Sequence, residues 1–211
     1  NNATLVVVGD VATDDVLRAV DGHFGRIASR EVGPRVHPVE PEQLGERRVT
    51  ISKEGTTAYL KIGFHGPSFT DPDFFPLLVL DAALTGAKGV NLWASFRTPP
   101  PQRSTRLYQA LVNTGLASAV NGGVVPTQQP FLYTIPATAT EGTELARVEE
   151  AAIRTIDRVR VVGITADEVA KAKNQLRARL VFENDSVTNI AHQLGYFETI
   201  SSWRRYPTVA H

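Results

Sequence analysis

Thr4-Leu5-Val6-Val7-Val8 is a short β-branched run closed by Gly9-Asp10, the pattern of a strand covered on both faces. Val16, Leu17, Val20 and Phe24 then recur at helical spacing, with Thr13 or Asp14 able to cap the helix and Gly25 to stop it. From Ser29 to Gly45 the periodicity fails. Pro34, Pro38 and Pro41 each fix φ and remove an N–H donor, so this stretch is read as an extended linker and domain boundary. Beyond it, Val49 and Ile51 alternate with Arg48, Thr50 and Ser52, and Ala58, Leu60, Ile62 and Phe64 alternate with Tyr59, Lys61 and Gly63. The expectation is an antiparallel pair with one buried face.

Asp71-Pro72 reads as an N-cap followed by Pro at the first helical position, leading a helix from Phe74 through Leu84 that Gly86 ends. Residues 90–104, with Trp93, Phe96 and three consecutive prolines at 99–101, form a long loop, and loops longer than about 12–15 residues are usually functional or disordered. Leu107 and Leu111 mark a short helix stopping at Gly115. Strands follow over 116–125 and 131–140. Their turn is placed at 126–130, although Asn121-Gly122 carries a hairpin signal too. That choice leaves two glycines inside a strand, implying a bulge or a close backbone approach, and requires Pro136 to lie at an edge or bulge. Thr143 can cap a helix with the stripe Leu145, Val148, Ala152, Ile156 and Val159. Thr165-Ala166-Asp167-Glu168 is a capping box, with Ile164 and Val169 placed for a hydrophobic staple and Val169, Ala172, Leu176 and Leu180 as the inner face of the next helix. A third helix is expected over 186–200, with Tyr206-Pro207 beyond it. Paired strands separated by helices predict an α+β fold, a mixed or antiparallel sheet covered by helices on one face.

Composition narrows the chemistry. The 211 residues contain 22 Lys+Arg against 22 Asp+Glu, so no net positive charge favours nucleic acid, and no apolar run reaches the ~20 residues of a membrane helix. With no cysteine, disulfides, thiolate nucleophiles and cysteine-ligated metals are excluded. The chain begins at Asn1 rather than Met, which suggests a processed product or an excised piece.

A zinc hydrolase needs converging imidazole or carboxylate ligands. The five histidines, His23, His37, His65, His192 and His211, show no H-E-x-x-H or H-x-x-E-H spacing. His37 with Glu40 and Glu42 lies on an extended linker, His65 reads as a turn residue before Gly66-Pro67, and His192 with Glu198 as helix packing. Ser95 and Ser118 lack a G-x-S-x-G elbow or a local base. Gly86-Ala87-Lys88-Gly89 lacks the spacing and the preceding strand of a phosphate loop. Lys171, Lys173, Arg177 and Arg179, and Arg204-Arg205 beside Trp203, read as solvated basic faces. On residues alone, no catalytic or metal site is assigned and the substrate-binding residues are unknown.

Four strings in register resemble the pitrilysin/insulinase family of zinc metallopeptidases, which includes the mitochondrial processing peptidases. They are Asn2-Ala3-Thr4-Leu5-Val6-Val7-Val8-Gly9-Asp10-Val11, Gly45-Glu46-Arg47-Arg48-Val49, the stretch from Ser104 to Val112 running into Gly115-Leu116-Ala117, and Ala172-Lys173-Asn174-Gln175-Leu176. The resemblance implies a metallopeptidase-repeat sandwich of the processing-peptidase type, two halves of which close as a clamshell around an unfolded peptide. It implies that residues 1–28 end a preceding zinc-type domain, 29–45 link, and 46–211 form a second, non-catalytic domain whose closing strand is missing. Zinc would then belong to the full-length protein and none to this segment, and its partners would be a peptide or unfolded protein substrate, the upstream zinc domain and a second half or partner subunit, with no nucleic acid and no membrane span.

Where family members carry an Arg and a Tyr that hold the substrate carbonyl, the matching stretch here has Val112 and Ser118, so neither offers an oxyanion donor. The resemblance therefore implies a chamber-wall segment inactive alone, with the 90–101 loop, through Trp93 and Phe96, as an interface loop. A paralogue without zinc, acting as an assembly subunit, is the competing reading. The compartment stays open, with a lean toward the bacterial periplasm.

Overall fold

The computed structural model describes residues 2–34, 41–90 and 102–210. The chain divides into two compact units, residues 1–55 and 56–211. Among its described residues the first contains one helix, α1 (Thr13–Phe24), which buries none of its residues. Its apolar side chains Leu17 and Phe24 are 59% and 53% exposed. Gly25 follows it in the right-handed region, so no left-handed stop forms there. The expected strand at Thr4–Val8 is not formed. A strand's main-chain bonds need a second strand, and the described residues of this unit contain none.

The second unit holds β1 (Tyr59–Gly66), α2 (Phe74–Leu84), β2 (Ala117–Val120), β3 (Gly123–Val124), β4 (Phe131–Ala139), α3 (Leu145–Val162), α4 (Ala166–Glu183) and α5 (Val187–Ile200). The expected strand over 48–52, the partner foreseen for 58–64, is not formed. Val49 and Ile51 are 83% and 86% exposed, and β1 pairs antiparallel with β4 instead. Tyr133, Ile135, Ala137 and Ala139 of β4 bury one face and are paired there with Leu60 and Ile62, which alternation on a pleated strand requires. The deciding bonds are therefore long-range.

β4 is central, with β1 on one side and β2 and β3 on the other. β2 and β3 are two parts of one strand interrupted at Asn121-Gly122, since the register against β4 is the same on both sides of the break. The turn accordingly falls after β3, in 125–130. A bulge lies between Ala117 and Ala119. Pro136 sits in the central strand, opposite the break between β2 and β3, where an edge or a bulge was expected. Its carbonyl accepts from Asn121 N at 3.0 Å. In an antiparallel strand the N–H and C=O of one residue face the same neighbour, so the donor proline lacks falls where β2 and β3 part.

The core face of the sheet is covered by α3, through Val148, Ala152 and Val159, and by Leu107 and Leu111, which flank or sit in a π-helical turn at Tyr108–Val112. Gly115 ends this turn with φ +76° and Gly86 follows α2 with φ +111°, conformations that favour glycine. α2 is apolar nearly all round and buries Phe74, Leu78, Ala82, Ala83 and Leu84, as a helix packed on more than one side must. It spans Phe74–Leu84 as expected, but its N-cap is Asp73 rather than Asp71, because the Asp71 carboxylate accepts from Asp73 N at 2.9 Å and closes a turn there first. Pro76 falls in the first turn, where its missing N–H would have had no helical partner. A second cluster joins Phe69, Phe74, Leu78 and Leu180 to Phe197 and Ile200 of α5 and to Tyr206.

α3 has Glu144 at its N-cap and no side-chain cap, so Thr143 does not serve. The capping box of α4 is present, with Glu168 N donating to Thr165 Oγ1 at 3.2 Å and Thr165 N to Glu168 Oε2 at 2.7 Å. The Glu168 carboxylate also receives Arg106 Nε and Nη2, each at 2.7 Å, tying the start of the π-turn segment to α4. These bonds hold its pKa down to about 2, the Arg106 hydrogen bond being the largest cause. That lies below the ordinary carboxylate value of about 4.3, so the contribution of Glu168 is complete above pH 4.3 and is lost as pH falls through about 2. We expect acid titration followed by circular dichroism to show a stability loss in that window, and Arg106→Gln to remove most of it.

Candidate functional site

The histidines do not converge. His23 lies in the last turn of α1, His65 on β1 and His192 on α5, all exposed, whereas His37 and His211 lie outside the described residues. Among the described residues no three His, Asp or Glu side chains are grouped to hold a metal ion, so these residues do not fit a zinc site. Ser118 is on β2 with its hydroxyl donating to Thr138 O at 3.3 Å, a contact that fixes the bulged strand. Ser95, Glu40, Trp93 and Phe96 lie outside the described residues. Glu42 is exposed. Arg204 stacks 5.0 Å over the Trp203 ring at the surface. Lys171 Nζ donates to Ser104 Oγ at 2.6 Å, and Arg179 lies 3.5 Å from Glu183. The basic residues of α4 are thus distributed among separate contacts.

The best-connected polar group in the described interior was not singled out by spacing. Asp81, on the buried side of α2 and 1% exposed, accepts through Oδ1 from Thr85 Oγ1 at 2.6 Å and from Tyr133 OH at 3.0 Å, and through Oδ2 from Lys88 Nζ at 3.2 Å. Lys88 Nζ donates further to Thr85 Oγ1 at 2.7 Å and to Gly86 O at 3.0 Å. Gly122 lies against this cluster: a Cβ there would be 2.6 Å from Asp81 Oδ1 and 2.7 Å from Thr85 Cγ2. The close backbone approach implied by the strand glycines is therefore present, and the lysine of the glycine-rich segment is held by a carboxylate. Burial lowers the Lys88 pKa, with the Asp81 charge and hydrogen bond opposing it. Burial also raises that of Tyr133, followed by the Asp81 charge and hydrogen bond. An ammonium whose three protons are all engaged serves to join elements. It bridges α2, the 85–88 turn and, through Asp81, the central strand.

Two open surfaces lie among the described residues. β1 is an edge strand. Ala139 N donates to Ala58 O at 2.9 Å, which sets the alternation: Leu60, Ile62 and Phe64 face β4, and the main-chain N–H and C=O of Tyr59, Lys61 and Gly63 point away from it. The other is a trough of about 620 Å³ between α2 and α4, floored by Leu78, Val79, Leu176 and Leu180. No helix among the described residues is long and apolar enough to cross a membrane.

Residues 1–176 match the family model of the peptidase M16 inactive domain. The probable mitochondrial-processing peptidase subunit beta of Schizosaccharomyces pombe is 26% identical over 191 residues, covering 89% of this chain and 40% of that protein. A protease from Helicobacter pylori superposes with a TM-score of 0.82 at 18% identity, covering 96% of this chain and 46% of that one. The peptidase M16 inactive domain from Pseudomonas fluorescens gives 0.59 at 18% identity over 74% of this chain and 33% of its own. The periplasmic protease PqqL from Escherichia coli gives 0.63 at 14% over 96% and 21%. The chain thus spans about two fifths of the length of the curated relative it matches. These structural likenesses bear out the α+β sandwich.

Proposed function

Because the chain belongs to the M16 peptidase family, the pitrilysin/insulinase zinc metallopeptidases, through the model of that family's inactive domain, we propose that it builds wall and substrate contacts of a peptidase chamber and supplies no zinc ligand. The carrying observation is the match to the inactive domain over residues 1–176. The absence of a metal-binding group among the described residues and the replacement of the oxyanion donors by Val112 and Ser118 support the same reading. Residues 1–28 are the end of a preceding zinc-type domain, 29–45 a linker, and 46–211 the second domain. The exposed apolar side chains of α1 support this assignment, because an amphipathic helix draws most of its stability from a packed face. Zinc and the base that activates water belong to that preceding domain.

An unfolded peptide is received along β1. The main-chain groups of Tyr59, Lys61 and Gly63 offer hydrogen bonds that any extended segment satisfies, so binding is tolerant of sequence, while Tyr59 and Leu132, exposed on the outer face, add apolar contact. Hydrogen exchange tests this. An excess of reduced, unfolded polypeptide should slow exchange at the amides of Tyr59, Lys61 and Gly63 and leave β4 unchanged. Equal exchange with and without the polypeptide would refute the edge as the binding strand.

A further inference from the structure

Asn121-Gly122 carries a hairpin signal, but the chain does not turn there. The pair forms the interruption between β2 and β3 and keeps the register against β4 on both sides. Asn121 N donates to Pro136 O at 3.0 Å, so the alternation of an antiparallel strand turns the N–H of Gly122 away from β4. Its acceptor is the preceding side chain, Asn121 Oδ1, at 3.0 Å. The carbonyl carbon bonded to that oxygen, Cγ, is thereby held beside the Gly122 nitrogen. Among the described residues nothing accepts from Asn121 Nδ2, so the side-chain amide is tied at its oxygen alone.

A nucleophile and an electrophile thus sit within one dipeptide. Glycine has no Cβ to screen its nitrogen, and a held geometry replaces the search that a flexible chain must make. Register sets Asn121 opposite Pro136, on the sheet face away from the core, where Ala119 and Pro136 are exposed, so solvent is at hand. We propose that Asn121-Gly122 is a self-modifying site. The Gly122 nitrogen gives its proton to solvent and attacks Asn121 Cγ; the N–Cγ bond forms, the bond from Cγ to Nδ2 breaks, and Nδ2 leaves as ammonia. Water then opens the succinimide at either carbonyl. The product at position 121 is an aspartate or an isoaspartate, whose main chain runs through the side-chain carbons and is longer. That extra length has nowhere to go. The register is fixed on both sides of the break, and a Cβ on Gly122 would already stand 2.6 Å from Asp81 Oδ1 and 2.7 Å from Thr85 Cγ2. Isoaspartate therefore forces the strand off α2, and the modification loosens the contact that the buried Asp81 cluster holds.

The test incubates the purified 211-residue chain, folded in buffer and unfolded in urea, and follows both by peptide mapping with mass spectrometry. The readout is the mass gained when an amide becomes a carboxyl, with isoaspartate counted by an isoaspartyl methyltransferase. In the folded chain the gain should fall on Asn121 and not on Asn174 or Asn189, which lie in helices and precede Gln and Ile. Ring closure within the folded strand should be slower than in the unfolded chain by less than about a hundredfold, whereas closure that waits for the domain to open would be slower by on the order of 10³ or more. Asn121→Gln, whose longer side chain cannot form the succinimide, should keep its mass at this position. The modified chain, separated by its added negative charge, should unfold at a lower urea concentration than the parent. Suppression beyond a hundredfold in the folded chain would overturn the proposal, and so would an unchanged unfolding midpoint in the isoaspartate form.

Discussion

Replacing Asp81 by alanine is expected to destabilise the second unit by about 3–5 kcal/mol, the range for removing one member of a buried ion pair. The loss would be large because the single carboxylate accepts from Thr85, Lys88 and Tyr133 together. Its removal leaves the Lys88 ammonium, already disfavoured by burial, without its counter-charge. Asp81→Asn should cost less, since the amide oxygen keeps one acceptor for Thr85 or Tyr133 and only the charge is removed. Urea unfolding followed by circular dichroism would show the midpoint falling by more than about 1 M for the alanine variant at an m value of about 2 kcal/mol/M. An asparagine variant as stable as the parent would remove the charge from the explanation.

The second large effect is expected at Gly122. An alanine Cβ would stand 2.6 Å from Asp81 Oδ1 and 2.7 Å from Thr85 Oγ1, and the carboxylate cannot swing aside without leaving its donors. Forcing a methyl into such a site costs about 1–3 kcal/mol. Gly123→Ala is the control on the same strand, because nothing lies within 4 Å of its Cβ and the position is only partly buried. That variant should stay within about 0.5 kcal/mol of the parent. Equal unfolding midpoints for the two variants would contradict the close approach of this strand to α2.

These two sites mark what the residue pattern could and could not show. The capping box at Thr165 and Glu168 and the glycine stops at Gly86 and Gly115 were legible because each depends on residues within one turn. The α+β class followed from the same local signals, and the paired glycines at 122–123 announced a tight approach without naming what was approached. Strand pairing was not legible in the same way. Val49 and Ile51 alternate as well as Leu60 and Ile62 do, and only the distant β4 decides which set is buried. Asp81 and Tyr133 are brought together across 52 residues. The one local sign was a carboxylate inside an otherwise apolar helix, which a buried acid needs a partner to tolerate. Pro136 shows the converse: a rule that places proline at edges gives way where a neighbouring strand is interrupted.

The family strings carried the functional reading further than any single side chain. The model of the inactive domain covers the regions in which those strings lie, whereas the residues alone carry no ligand set, nucleophile elbow or phosphate loop.

The central claim is that this chain supplies no zinc site and no cleavage of its own. Its most direct test is equilibrium dialysis of the purified 211-residue chain against zinc, with metal content determined by mass spectrometry and cleavage of an unfolded polypeptide followed in parallel. Expected are no stoichiometric zinc and no chelator-sensitive cleavage. One tightly bound zinc per chain, together with peptide cleavage that a chelator abolishes, would contradict it.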